Sequence, residues 1–200
     1  MKKEVYIYGG IALGVAALIF LIYKKTKSVE KSITVNAMVN DKISAKYAAA
    51  NKKFLDSLNP AERSTFINFI NDIQKLGYAV VITSAARSTA DQVKQKKANS
   101  KNATPGFSTH EYGIALDINL VKDGKWINKD SSLDTWRKTG VVDLALKKYN
   151  MRWGGTFAGY LDPVHFDEGK KYDVNKLYAK AIKQFGTAEK IKGNTMSLSV

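Results

Sequence analysis

The chain contains two histidines, His110 and His165, and each lies in a short motif whose side chains can bind a metal ion. His110 is followed seven residues later by Asp117, and His165 is preceded three residues earlier by Asp162. Catalytic zinc sites use three protein donors of this kind and leave a fourth position open for water. Because the chain has no cysteine, thiolate zinc sites are excluded. The sequence therefore predicts a site for zinc, or for another divalent cation that accepts nitrogen and oxygen, at His110, Asp117 and His165.

The spacing of His110 and Asp117 excludes the common zinc-binding helix. A His-Glu-x-x-His helix needs its second histidine at position 114, where this chain has Ile114. We expect His110 on a loop that enters a strand, with Gly113 allowing a tight turn and Asp117 on the apolar strand itself. A carboxylate buried in such a strand needs a partner, and a cation is a suitable one.

Three further residues are candidates for catalysis or substrate binding. Asp162 is expected near the metal but not bound to it, where it can accept a proton from an attacking water. Arg87 follows a predicted strand, so it can bind a substrate carboxylate or stabilise a developing oxyanion, although a surface salt bridge is the alternative. Ser108 is expected to cap a turn and to give the substrate at most one hydrogen bond.

Apolar periodicity and turn residues predict an α+β domain over residues 41–186, with helices before and after several short strands. Asp123-Gly124 is a hairpin signal. The final residues, 187–200, are polar and are expected to form a loose tail. The predicted helices are 41–58, 59–76, 88–92, 133–149 and 173–185, and the predicted strands are 78–83, 113–121, 152–153 and 164–166.

An uncharged run over residues 5–23 predicts a transmembrane anchor within residues 1–25, followed by a polar linker over 26–40. At about 1.5 Å per helical residue the run nearly spans a hydrocarbon core of about 30 Å. The run ends without the small residues of a cleavage site, so an uncleaved anchor is favoured over a signal peptide.

The net charge of +14 favours an anionic partner such as nucleic acid, anionic lipid or a cell-wall polymer. Nucleic acid is not expected, because the lysines are scattered and no nucleic-acid motif accompanies them. A solvated lysine-rich surface without a partner is the alternative.

The motifs resemble the zinc-dependent D-Ala-D-Ala carboxypeptidase and L-alanyl-D-glutamate endopeptidase family, which includes many phage endolysins. The similarity covers roughly residues 40–170, and four motifs occur in the family's order. They are Ser-x-x-Arg-Ser at 84–88 with a following Gln92, Ser-x-His-x-x-Gly-x-Ala-x-Asp at 108–117, Trp-Gly-Gly at 153–155 and Asp-x-x-His-Phe at 162–166.

The resemblance implies a Hedgehog/DD-peptidase-like fold with zinc bound by His110, Asp117 and His165. It also implies Asp162 as the general base and Arg87 as an electrostatic helper. The chain departs from the endolysin pattern near the expected substrate groove. Thr156-Phe157 replaces the usual Asp-Trp, and Ala86 replaces the usual aromatic before the arginine.

We therefore expect a membrane-anchored zinc peptidase that cuts peptidoglycan stem peptides, most simply at the L-Ala–D-Glu bond. The alternatives are a D-Ala-D-Ala carboxypeptidase and a non-catalytic structural or wall-binding component of a virion or envelope. Flanking lysines favour an inward-facing carboxyl domain. A wall-degrading domain must face outward, and on this ground we expect an extracytoplasmic domain, or a virion membrane protein. Phage lysis, phage entry and host wall remodelling all fit the sequence.

Overall fold

A computed structural model of the chain describes residues 42–200. These residues belong to one compact unit. The predicted anchor and linker lie outside the described residues, and within the described part no helix is long and apolar enough to cross a membrane.

Helices surround a small antiparallel sheet, which is the α+β arrangement expected from the sequence. Helix α1 covers 42–57 of the described residues. The other helices are α2 (Arg63–Lys75), α3 (Thr89–Ala98), α4 (Leu133–Lys138), α5 (Val141–Asp143), α6 (Val174–Phe185) and α7 (Ala188–Lys192). The strands are β1 (Ala79–Ser84), β2 (Ala115–Lys122), β3 (Lys125–Ile127), β4 (Arg152–Trp153) and β5 (His165–Asp167).

Strand β2 is the centre of the sheet, because it pairs with β1, with β3 and with β5. The β2–β3 hairpin turns at Asp123 and Gly124, which have φ angles of 53° and 75°. Two consecutive positive φ angles define the two-residue hairpin turn that the Asp-Gly pair predicts. The amino-terminal end of β2 pairs with β5, and Asp117 lies directly opposite His165.

The alternation of side chains along β2 separates the core from the functional site. Leu116, Ile118 and Leu120 are fully buried in the main hydrophobic cluster, together with Phe166 of β5. Successive side chains of a strand point to opposite faces, so Asp117 and His165 project from the other face. The main core therefore fixes the strands from one side. On the opposite face the polar residues lie at the amino-terminal end of β2, whereas Val121 at the other end packs with Ala79 and Val81.

The predicted helix over 133–149 is wrong as a continuous element. Gly140 has a φ angle of 77°, which breaks the helix between α4 and α5. A π-helical turn, Leu144–Lys148, follows α5. The hydrophobic period continues on both sides of Gly140, and for this reason the pattern reads as one helix in the sequence.

The final residues are also more ordered than expected. They include α7, and Ile191 and Leu198 are buried to 1% and 3% exposure. Both contribute to a second hydrophobic cluster with Tyr112 and Ile114. The backbone N–H of Leu198 donates to the Glu111 carbonyl at 2.6 Å, so the tail packs directly behind the segment that carries His110.

Candidate metal centre

Three donor atoms converge on one point at the face of the sheet. The separations are 3.2 Å from His110 Nε2 to Asp117 Oδ1, 3.2 Å from His110 Nε2 to His165 Nδ1, and 3.0 Å from His165 Nδ1 to Asp117 Oδ1. The structure thus brings together the three residues that the sequence predicts as metal ligands. Two of them are a cross-strand pair, and the third comes from the turn before β2.

The backbone of that turn depends on Gly113. His110 lies in a short 3-10 helix, Thr109–Tyr112, which ends at Gly113 with a φ of 63°. A Cβ at Gly113 would come within 2.7 Å of the Asn59 backbone nitrogen. Glycine is therefore required twice here, for the left-handed conformation and for the close approach of the neighbouring chain.

Hydrogen bonds show which nitrogen of each ring faces the other donors. His110 Nδ1 lies 2.6 Å from the Ala85 carbonyl oxygen, and a carbonyl only accepts, so Nδ1 carries a proton and Nε2 is the nitrogen that can bind a metal. His165 Nε2 donates to Asp167 Oδ2 at 2.8 Å, so Nδ1 is the nitrogen that faces Asp117 and His110. Burial lowers the pKa of His165, but Asp117 and Asp167 outweigh it and raise the pKa to about 10, so a bound cation would take the place of the proton on Nδ1.

The donor set fits zinc. A tetrahedral ion with bonds of about 2.0–2.1 Å to nitrogen and oxygen holds its donors about 3.3 Å apart, which is close to the separations found here. His110 and His165 are 4% and 7% exposed, so the surrounding protein shields both rings from solvent. Burial opposes ionisation of Asp117, but His110 and His165 hold the pKa of its carboxyl well below the usual range. Asp117 is therefore ionised and ready to bind a cation.

Asp162 lines the same cavity as the three donors. Its backbone N–H donates to the Gly154 carbonyl at 3.0 Å, and its own carbonyl accepts from the His165 N–H at 3.1 Å. A Cβ at Gly154 would collide with the Asp162 carbonyl, which explains the glycine at this position. Burial and the charge of Asp117 raise the pKa of Asp162, which makes this carboxylate a better proton acceptor.

Arg87 lines the cavity, and its guanidinium donates to neutral side chains. Its Nη1 donates to Gln92 Oε1 at 2.7 Å and its Nη2 to Ser84 Oγ at 3.0 Å. Gln92 is fixed in turn by donating to the Ala103 carbonyl at 2.8 Å. Neutral partners hold the guanidinium in place, so within the described residues the surface salt bridge considered as the alternative is not found. The arrangement leaves the positive charge available to a ligand.

Ser108 and Glu111 organise the loop before the 3-10 helix. Glu111 is fully buried, and its carboxylate accepts from the backbone N–H groups of Ser108 at 3.0 Å and Gly106 at 2.9 Å. Glu111 therefore supports the loop and is not part of the donor triangle. Ser108 is buried and lines the cavity.

Asp167 and Arg152 hold His165 in place from the side away from the other donors. The sequence analysis gave neither residue a role. Asp167 binds His165, and Arg152 binds Asp167 through two hydrogen bonds. The signal for Asp167 was present in the sequence, because residues 165 and 167 of a strand share one face. Arg152 could not be found this way, since its pairing with Asp167 depends on the register between two strands.

The donor triangle opens into a cavity of about 470 Å³. Aromatic side chains line parts of it, and Tyr160 is 38% exposed at the surface. A cavity of this size accommodates a short peptide segment. Its lining includes Gln95, Lys101, Asn102, Phe107, Phe157, Ala158 and Tyr160 in addition to the residues described above.

Comparison with known protein families gives a match over part of the chain, which includes most of the site. Residues 101–168 match the family described as D-alanyl-D-alanine carboxypeptidase. The matched segment contains His110, Asp117, Asp162 and His165, whereas Arg87 precedes it. The match supports the peptidase family that the motifs resemble, and it supports the prediction that the protein is an enzyme.

Two crystal structures resemble the fold at low sequence identity. The L-Ala D-Glu endopeptidase ChiX of Serratia marcescens is 19% identical, with 60% of this chain and 88% of that chain covered and a TM-score of 0.43. The second is a mutant of VanY, a vancomycin resistance D,D-pentapeptidase from a VanB-type cassette, in complex with Zn(II). It is 18% identical, with 62% of this chain and 79% of that chain covered and a TM-score of 0.39.

Proposed function

We propose that the protein is a zinc peptidase that hydrolyses the L-Ala–D-Glu bond of peptidoglycan stem peptides. The observation that carries this proposal is the donor triangle of His110, Asp117 and His165, which opens into a cavity that Asp162 and Arg87 also line. A structural metal site would be closed by a fourth protein ligand, and the triangle has three donors among the described residues.

The residues around the triangle divide the work of peptide hydrolysis. A zinc ion held there supplies a water of lowered pKa and a positive charge next to the scissile carbonyl. The Asp162 carboxylate takes the proton of the attacking water and returns it to the leaving amine. The Arg87 guanidinium binds either the carbonyl oxygen as negative charge develops or a carboxylate of the substrate.

The choice of bond rests on the resemblance of the motifs to the endolysin branch of the family. Stem peptides carry free carboxylates, and the guanidinium of Arg87, which donates to the neutral side chains of Gln92 and Ser84, suits a substrate of this charge. A D-Ala-D-Ala carboxypeptidase would use the same residues on a terminal carboxylate. The products of the reaction separate the two.

The direct test is to incubate the full chain, solubilised in detergent, with purified peptidoglycan in the presence and absence of a chelator. We expect fragments with new amino-terminal D-Glu by mass spectrometry, and we expect them to vanish with chelator. Release of free D-Ala would assign the carboxypeptidase activity instead. If a folded, zinc-loaded protein released neither product, the peptidoglycan proposal would be wrong.

Asp162→Ala separates the enzyme from a non-catalytic, wall-binding component with the same metal site. We expect cleavage to fall by about 10²–10⁴-fold, the usual contribution of a general base, while the zinc content stays the same. Asp130→Ala, at an exposed turn, is the matched control and is expected to retain full activity. Unchanged cleavage by Asp162→Ala would remove Asp162 from the mechanism.

The run over residues 5–23 supports a proposal for the location of the enzyme. We propose that it anchors the chain in a membrane with the peptidase domain on the side of the cell wall, where the +14 charge favours an anionic polymer. A phage lysis or entry enzyme is consistent with this location. Retention in the membrane after alkaline carbonate extraction, together with protease access to the domain from outside, is the expected result. Release into the carbonate supernatant would refute the anchor.

A further inference from the structure

Asp167 is the centre of a buried hydrogen-bond cluster directly below the metal ligands. Its side chain is fully buried and accepts from His165 Nε2 at 2.8 Å. It also accepts from the Gly169 backbone N–H at 2.8 Å and from Thr109 Oγ1 at 3.2 Å. Thr109 directly precedes His110 in the chain. Asp167 therefore contacts His165 itself and the residue next to His110.

Arg152 completes this cluster from the neighbouring strand. It lies opposite Asp167 in the β4–β5 register, with Nε at 2.7 Å from Oδ1 and Nη2 at 2.8 Å from Oδ2. The guanidinium also lies over the Phe157 ring, at 5.2 Å from its centroid. A Cβ at position 169 would collide with the guanidinium, so Gly169 leaves the space that Arg152 occupies.

Arg152 contacts both carboxylate oxygens of Asp167. This bidentate geometry fixes the plane of the carboxylate, and the plane sets the direction in which Oδ2 meets the His165 ring.

We propose that Arg152 is a positioning residue for the metal ligand His165 and that it acts through Asp167. Arg152 holds the carboxylate in one orientation, Asp167 holds the Nε2–H of the ring, and Nδ1 is thereby aimed at the metal. Partners of this kind behind a metal-binding histidine typically change metal affinity by about 10–100-fold when they are removed. The inference rests on the metal site of the proposed enzyme and is independent of the bond that the enzyme cuts.

The alternative is that Arg152 simply ties β4 to β5 and stabilises the sheet. Peptidase activity alone cannot separate the two roles, because Arg152 also lines the cavity and could contact substrate. Metal affinity without substrate separates them, since a purely structural contact has no reason to change it in a folded protein.

The test uses the full chain, stripped of metal and titrated with zinc against a chromophoric chelator. We expect Asp167→Asn to weaken zinc binding by about 10–100-fold and Arg152→Gln by about 10-fold. Arg152→Lys retains the charge but loses the bidentate geometry, so it is expected to recover part of the affinity. The matched control is Arg137→Gln, which removes an exposed arginine that lies over Trp153 of the same strand, at 5.4 Å from the ring centroid.

The cobalt-substituted proteins provide a second readout that reports ligand orientation. We expect the visible absorption bands of Co²⁺ to shift in Arg152→Gln and to match wild type in Arg137→Gln. The proposal is overturned if Arg152→Gln lowers the melting temperature while its zinc affinity and cobalt spectrum stay equal to those of Arg137→Gln. If Arg152→Gln does not fold, Arg152→Lys decides by the same comparison. A protein that binds zinc in this way yet cuts no peptidoglycan would refute the proposed function and leave this inference standing.

Discussion

The stability of the fold should fall as pH rises through about 7, because the buried carboxyl group of Glu168 must then ionise. Glu168 is 4% exposed, and its Oε1 has no hydrogen-bond partner among the described residues. Burial and the charge of Glu62 raise the pKa of Glu168 to about 7, with Lys171 opposing and Asp167 assisting. Glu62 is itself held in place by hydrogen bonds from Lys171 and Tyr172.

The size of the effect follows from the difference between the folded and unfolded pKa values. The pKa of Glu168 is about 7 in the folded chain against an ordinary value of 4.5. Each pKa unit corresponds to about 1.36 kcal/mol, so the stabilising effect of the neutral form is fully present below pH of about 4.5 and about 3 kcal/mol of it is lost above about pH 8. Between pH 5 and pH 8.5 the expected loss is about 2–3 kcal/mol, or roughly 5–10 °C in melting temperature for a domain of this size.

The assay compares wild type with Glu168→Gln, whose amide is neutral at every pH, in thermal unfolding with chelator present. The difference between the two proteins isolates Glu168 from all other titrating groups. We expect the variant to gain stability relative to wild type as pH rises from 5 to 8.5. Glu189→Gln, at an exposed site in α7, is the matched control and should show no such trend. A difference between wild type and Glu168→Gln that is the same at both pH values would refute the reasoning.

Three further predictions concern the metal, the tail and the turn before β5. Removing the metal should lower the melting temperature by roughly 5–10 °C, because a ligand at about 100 times its Kd stabilises a fold by about 2.7 kcal/mol. In calorimetry, His110→Ala should show no change of melting temperature when the metal is removed. Leu198→Ala should cost about 2–3 kcal/mol in urea unfolding because the side chain is 3% exposed, whereas an equal stability of both proteins would mean that the tail is not packed in solution. Gly154→Ala should reduce cleavage more than zinc binding, because the added Cβ collides with the Asp162 carbonyl but stays 3.0 Å from His165 Cβ, and parallel losses would contradict this reason.

The metal ligands could be predicted from sequence because each one lies in a short motif, and these motifs resemble those of a known family. Asp117 interrupts an apolar strand, and a carboxylate buried at such a position needs a partner, for which a cation is suitable. His110 and Gly113 predict a loop with a tight turn, and the structure contains a 3-10 helix that ends in a left-handed glycine. These features involve residues close together in the chain, where the local sequence determines the conformation.

The remaining features depend on contacts between distant segments and could not be read from local pattern. Asp167 and Arg152 are 15 residues apart, and their pairing needs the β4–β5 register. The order of the tail comes from Ile191 and Leu198 packing against Tyr112, which a polar composition hides. Gly140 is ambiguous for a different reason, because a glycine within a helical pattern can be tolerated or can end the helix.

Side chains alternate between the two faces along β2 and β5, so a single strand register determines both the packing of the core and the geometry of the metal site. Phe166 is buried in the main core between two polar residues of the site, His165 and Asp167. A shift of the β5 register by one residue would bury both polar side chains in the core and expose the phenylalanine at the site. The apolar packing of Phe166 against Phe69, with ring centroids 5.3 Å apart, therefore acts on the metal site as well as on stability, since it selects the register that places His165 opposite Asp117.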